Sequence, residues 1–157
     1  YKAIPHCTEW FLTMTAGLSA RKKIVVLSEM RPYVRDERSV YKKLGKLLKV
    51  FNSVYFVGTK FQFELIKKHA PHTTYISSPA SYPMLCEEIV HSSNSEDLIL
   101  LKGAFHYHLE DLQLLLTGNQ QKTIVSSMVT HEENYAALAD KIVKLDDGKI
   151  VKVKENK

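Results

Sequence analysis

Histidine is the residue whose spacing first suggests chemistry in this chain. His106 and His108 flank Tyr107, and His69 and His72 flank Ala70-Pro71. An i, i+2 pair can chelate a metal from a strand, but a site needs further ligands, and no third one is visible nearby. The histidines read as surface or loop residues, and no metal site is assigned. Cys7 and Cys86 stand in no metal-ligand spacing and fall in segments with a helical pattern. They read as small buried hydrophobes of a reduced, cytosolic protein. Phosphate chemistry lacks its usual loops. There is no G-x-x-x-x-G-K-S/T and no G-x-G-x-x-G, and the chain has only six glycines. A G-x-S-x-G hydrolase elbow is also missing. No catalytic residue is assigned.

Charge gives the next constraint. Among 157 residues, 22 Lys and Arg outnumber 17 Asp and Glu, for a net charge of +5. Much of the excess lies in Arg21 to Lys23 and in Arg31 to Lys49. Such runs form a solvated basic face or attract a polyanion. The aromatics do not interleave with the basic residues, so nucleic acid is not expected as a partner. No run approaches the ~18 consecutive apolar residues of a membrane span. Glu9 interrupts the first apolar stretch, which is not a signal peptide. The expected location is the cytoplasm, with no membrane partner.

These residues must be positioned by alternating strands and helices. Trp10, Phe11, Met14 and Leu18 recur at helical spacing behind Pro5, a good first helical residue. Ile24 to Leu27, Val54 to Val57, Thr73 to Ile76 and Leu98 to Leu101 are short, largely β-branched or apolar runs that read as buried parallel strands. Between them, residues 37–50, 60–69 and 81–91 carry helical patterns. Residues 107–117 are expected to be helical and to stop at Gly118-Asn119. Thr123 to Met128 reads as a strand and 131–140 as a helix. Lys141 to Leu145 and Lys149 to Val153 flank Asp146-Asp147-Gly148, a hairpin signal. The expected fold class is α/β: a Rossmann-like three-layer αβα with a mostly parallel sheet and an antiparallel edge hairpin at the C-terminus.

In such a sheet, ligands sit beyond the carboxyl ends of the strands. That rule selects Ser28 to Arg31, Gly58 to Lys60, Ser77 to Pro79, and Lys102 to His106.

The order of segments resembles the C-terminal domain of the Mur ligase family. Tyr1-Lys2-Ala3-Ile4-Pro5 is similar to the end of the family's D-x-Y-N-A-N-P interdomain segment. Arg21 to Met30 resembles R-K-I-A-V-L-G-D-M, and Glu96 to Gly103 resembles G-D-x-V-L-V-K-G, which in the family precedes S-R. The subfamily most resembled adds D-alanyl-D-alanine to the muramoyl tripeptide. The resemblance implies a substrate-closing domain of an ATP-dependent amide ligase of peptidoglycan (cell wall) biosynthesis, not active alone. ATP and Mg²⁺ would be held mainly by a central ATPase domain outside this chain, and neither would bind this chain tightly. A UDP-linked muramoyl peptide and an amino acid or dipeptide would be the substrates. By position, Tyr1, Pro5 and Glu29 would lie on the nucleotide side. Lys102, Gly103 and His106 would face the amine substrate, with Lys102 neutralising a carboxylate. Taken without the resemblance, Tyr1 and Pro5 are hinge residues, Glu29 a surface charge or salt-bridge partner, and Lys102 a solvated strand-end lysine.

The departures are specific. Ser28 replaces Gly, Glu29 replaces Asp, and Ala104-Phe105 replace Ser-Arg, which removes a fork-shaped carboxylate donor. They leave a second reading open: a non-catalytic α/β module that binds an anionic ligand or protein partner through its basic face. Residues 1–118 match the ligase domain, and 119–157 read as a strand-helix-hairpin extension packed on the same sheet. Within that extension, Val129 to Glu132 and Ala139 to Val151 resemble the end of an ABC transporter ATPase domain, without its upstream motifs.

Overall fold

The computed structural model describes residues 5–30, 36–118, 123–127, 141–146 and 149–155. Five strands form one parallel sheet: β1 (Lys23–Ser28), β2 (Ser53–Val57), β3 (Thr73–Ile76), β4 (Leu98–Lys102) and β5 (Thr123–Ser127). Their spatial order is β3-β2-β1-β4-β5. β1, β2 and β4 are apolar without alternation because both of their faces are covered, and their residues are buried almost end to end. The α/β, Rossmann-like fold class read from the sequence is the one observed.

Helices α1 (Pro5–Ala16), α2 (Glu37–Leu48) and α3 (Lys60–Lys67) cover one face over Val25, Leu27, Val54, Phe56 and Leu100. Helices α4 (Tyr82–Ser92) and α5 (Leu109–Thr117) cover the other, over Ile24, Val26, Tyr55, Ile99 and Leu101. Cys86 is buried in this second core, as its apolar surroundings suggested. Local chemistry sets the helix starts. Asp36 accepts from the Ser39 N–H at 3.1 Å and caps α2. Thr59 and Gln62 form a reciprocal capping box at α3. α2 and α3 meet closely at Gly45, where a Cβ would lie 2.8 Å from the Ile66 carbonyl oxygen.

The structure differs from the sequence expectations in three places. Helix α1 buries Phe11 and Leu12 together with Thr8 and Thr15, whereas Trp10, Met14 and Leu18 lie exposed. The spacing of the large residues suggested the opposite face. Two threonines supply that inner stripe instead, and Thr15 returns its hydroxyl to the Phe11 carbonyl at 2.7 Å. Helix α5 begins at Leu109 rather than 107, because a 3₁₀ turn over Phe105–Tyr107 and a left-handed His108 (φ 49°) precede it. The terminal hairpin, β6 (Lys141–Asp146) with β7 (Lys149–Glu155), is antiparallel as expected but forms a two-stranded sheet of its own, not an edge of the main sheet. β5 belongs to the main sheet through its ladder with β4, so that sheet extends beyond residue 118. The helix expected over 131–140 lies outside the described residues.

At the amino ends of β1 and β4, Arg21 clamps Asp97. The guanidinium donates from Nε at 2.9 Å and from Nη2 at 2.7 Å, one bond to each carboxylate oxygen. Asp97 is fully buried, and its Oδ2 also accepts the Asn94 N–H at 2.9 Å. Burial alone would push the Asp97 carboxyl up. The Arg21 hydrogen bonds, the Asn94 amide and the charges of Arg21 and Lys22 outweigh it, and hold the carboxyl below its usual value. A carboxyl lowered on folding stabilises above its unfolded pKa of ~3.9, and that stability is lost as pH falls through the lower folded value. Arg21→Ala is therefore expected to destabilise the fold at neutral pH, because it leaves the buried Asp97 carboxylate without its charged partner. It should also move the onset of acid unfolding to higher pH. Urea titrations between about pH 2 and 7 check both, the window being set by the ordinary carboxyl range. An unchanged acid limb would show that the clamp contributes nothing.

Candidate functional site

The strand order reverses between β1 and β4, so the loops leaving these neighbours diverge. This is where a doubly wound sheet opens its ligand crevice. Here the crevice is built from Ser28-Glu29-Met30 after β1 and Gly103 to Tyr107 after β4.

The two loops are tied together at their base. The Ala104 N–H donates to Ser28 Oγ at 2.7 Å, and the Ser28 hydroxyl donates to the Glu29 carbonyl at 3.2 Å. A Cβ on residue 103 would lie 2.2 Å from Ser28 Oγ and 2.6 Å from Leu109 Cδ1. Glycine is required there by close approach. Ser28 is one of the departures from the Mur ligase pattern, and its hydroxyl now satisfies a buried amide of the neighbouring loop.

Above this base, Glu29 is held from two sides. Gln62 Nε2 donates to Glu29 Oε1 at 2.7 Å and to Glu37 Oε1 at 2.6 Å. The Tyr107 hydroxyl donates to Glu29 Oε2. Burial first, and then this bond to a carboxylate, push the Tyr107 phenol well above its usual value. It stays a donor and is no candidate base. Gln62 is itself buried, and its Oε1 accepts the Thr59 N–H at 3.2 Å, which fixes the amide orientation. The Met30 N–H donates to the Tyr41 hydroxyl at 3.0 Å, and the Tyr82 hydroxyl donates to the Tyr107 carbonyl at 2.5 Å. Helices on both faces thus hold the loops.

Lys102 ends β4 and is only 8% exposed. That corrects its reading as a solvated strand-end lysine. Its ammonium lies 5.8 Å from the centre of the Phe11 ring on α1, within reach of a cation–π attraction. His106 is exposed in the 3₁₀ turn with its ring 4.3 Å from that of Tyr107. His108 Nδ1 lies 3.0 Å from Glu110 Oε1. Its left-handed backbone costs about 1–2 kcal/mol, which the surrounding bonds to Tyr107 must offset. Among the described residues no three His, Cys, Asp or Glu side chains gather as metal ligands.

Of the site residues read from the sequence, Glu29, Lys102, Gly103 and His106 all lie on the two diverging loops or the strand end that feeds one of them. Pro5 is the first residue of α1. Tyr1 lies outside the described residues. Sequence reasoning missed Tyr107 and Gln62. The Thr59-x-x-Gln62 spacing carried the signal for a capping box.

The contact at Gly103 yields a test. Gly103→Ala is expected to destabilise by about 2–3 kcal/mol through overpacking. Ser28→Gly removes the nearest atoms but leaves the Ala104 amide without its acceptor, at about 1–3 kcal/mol. In the double variant the two costs should fall short of their sum by roughly 1 kcal/mol or more, as for residues in contact. Strict additivity in urea unfolding would show that Ser28 is not what excludes a side chain at 103.

No family model matches the chain, and no curated protein matches it. Two crystal structures of MurF from Acinetobacter baumannii share its fold. One gives a TM-score of 0.61 at 18% identity, covering 75% of this chain and 26% of that chain. The other gives 0.60 at 18% identity, covering 75% and 27%. The chain thus spans about a quarter of the length of these proteins. At this identity the likeness concerns the fold alone, and it supports a Mur ligase C-terminal-like, Rossmann-like α/β fold for this chain.

Proposed function

We propose that the chain is the substrate-closing C-terminal domain of an ATP-dependent amide ligase acting on UDP-linked muramoyl peptides, working in the cytoplasm. The observation that carries this reading is the reversal of strand order between β1 and β4, with Glu29 and Lys102-Gly103 at the same edge. The MurF likeness and the ordered segments from Tyr1 to Gly103 support it. No described helix is long and apolar enough to cross a membrane.

The residues present do not form a phosphate cradle. The base of the crevice, where backbone would meet phosphate, is occupied by Ser28 Oγ against Gly103. Both Glu29 oxygens already accept hydrogen bonds, and a carboxylate repels phosphate in any case. ATP and Mg²⁺ would belong to the central ATPase domain, and no step of the reaction is assigned to them here. What this chain offers is positioning. Glu29, with Tyr1 and Pro5 on the approach, would face the nucleotide's hydroxyl-bearing side, where a carboxylate is a useful acceptor. Lys102, at the mouth of β4, would turn its ammonium from the Phe11 ring to the carboxylate of the amine substrate. Gly103 and His106 would line that path. Closure over the central domain would then exclude water from the reacting acyl group.

The parent gene should encode a G-x-x-x-x-G-K-S/T loop within the ~200–300 residues ahead of Tyr1, a span of one or two domains. In that parent enzyme, Lys102→Met keeps an unbranched stem and removes the charge that lies over the Phe11 ring. It is expected to raise KM for the amine substrate about 10–100-fold, the worth of one charged hydrogen bond. KM for ATP should stay within about threefold. Steady-state assays of ATP-dependent amide formation decide it. An unaltered amine KM, or the lack of any upstream phosphate loop, would remove the reading.

A further inference from the structure

Away from the strand ends, α2 and α3 enclose an open groove of about 520 Å³ between their outer faces. Arg38 and Lys42 line it from α2, and Lys68 and His69 from the end of α3. Leu65 also lines it, and among the described residues its one carboxylate is Asp36, which caps α2. Lys42 and Lys68 form no ion pair among the described residues. The walls are fixed relative to each other, because Gly45 brings α2 against the backbone of Ile66 and the Cβ of His69.

Arg38, Lys42 and Lys68 outnumber the single carboxylate of Asp36 on one rigid groove, and the excess positive charge calls for an anionic occupant. The shape and lining narrow its class. An open groove suits an extended chain better than an enclosed small molecule. Single-stranded nucleic acid is usually held on exposed aromatic faces, and among the described residues no Phe, Tyr or Trp lines this groove. The nearby Phe61 ring is covered by the Arg38 guanidinium, 5.3 Å from its centre. Cations around one apolar side chain, Leu65, instead match a segment that combines carboxylates with apolar side chains.

We propose that the α2–α3 groove is a docking site for an acidic, partly apolar peptide segment of a partner protein. The site is separate from the β1–β4 crevice and does not depend on the ligase reading. The test is fluorescence anisotropy of the 157-residue chain with a labelled decapeptide of alternating glutamate and leucine. Saturable binding that weakens with salt is expected. Lys42→Glu with Lys68→Glu should lose at least about tenfold in affinity, as for two lost ion pairs. Lys49→Glu with Lys152→Glu, the same change of charge outside the groove, should lose less than about threefold. Circular dichroism melts confirm that both variants fold. If the groove variant unfolds, Lys42→Gln with Lys68→Gln takes its place, with a smaller loss in the same direction. Three outcomes overturn the proposal: no saturable binding, equal losses in both pairs of variants, or an oligothymidine strand that binds as tightly with the same sensitivity.

Discussion

The seam between β1 and β4 is the constraint on which the rest of the structure depends. These two strands are neighbours in space but far apart in sequence, and everything between them must return for the seam to close. Arg21 and Asp97 fasten it at the amino end with a two-pronged ion pair whose carboxylate is fully buried. Ser28, Gly103 and the Ala104 amide fasten it at the carboxyl end. Between the fasteners, the central residues of both strands are wholly apolar and buried, so desolvation drives the pairing while the two polar ends set its register.

From that seam the site follows. Loops that leave neighbouring strands in opposite directions must part, and the space between them is either a ligand site or has to be filled. Here protein atoms fill its base. Tyr107 reaches from one loop to Glu29 on the other, and Gln62 brings α3 into the same network. Tyr41 and Tyr82 anchor the loops from opposite faces of the sheet. Glu29 is consequently an oriented acceptor and not a mobile surface charge. Lys102 lies buried against Phe11, so using its charge on a substrate requires the side chain to move.

Much of this was legible from the sequence because it is local. Ile24-Val25-Val26-Leu27 and Leu98-Ile99-Leu100-Leu101 leave few choices other than buried strands, and the alternation with helices implies parallel pairing. The loops at the strand ends could then be named before any side chain was placed. What escaped was set by tertiary partners. The inner face of α1 is completed by Thr8 and Thr15, two polar residues that no hydropathy pattern would place inside; Thr15 returns its hydroxyl to the Phe11 carbonyl. The start of α5 is delayed because Tyr107 is claimed by Glu29, 78 residues away in sequence. The burial of Lys102 depends on Phe11, on a helix that precedes it by most of the domain. The hairpin strands were readable from the Asp-Gly tip, but whether they would join the sheet was not, since edge pairing depends on which neighbour is available.

The β1–β4 crevice is closed at its base by Ser28 against Gly103 and the Ala104 amide, and we propose that for this reason the chain holds no nucleotide by itself. Calorimetric titration of the chain with ATP and Mg²⁺ tests this most directly. The account predicts no saturable heat and a dissociation constant weaker than ~1 mM, about −4 kcal/mol or less favourable. Saturation at low micromolar ATP, abolished by Glu29→Ala or by Gly103→Val, would contradict it and place a complete nucleotide site within this fold.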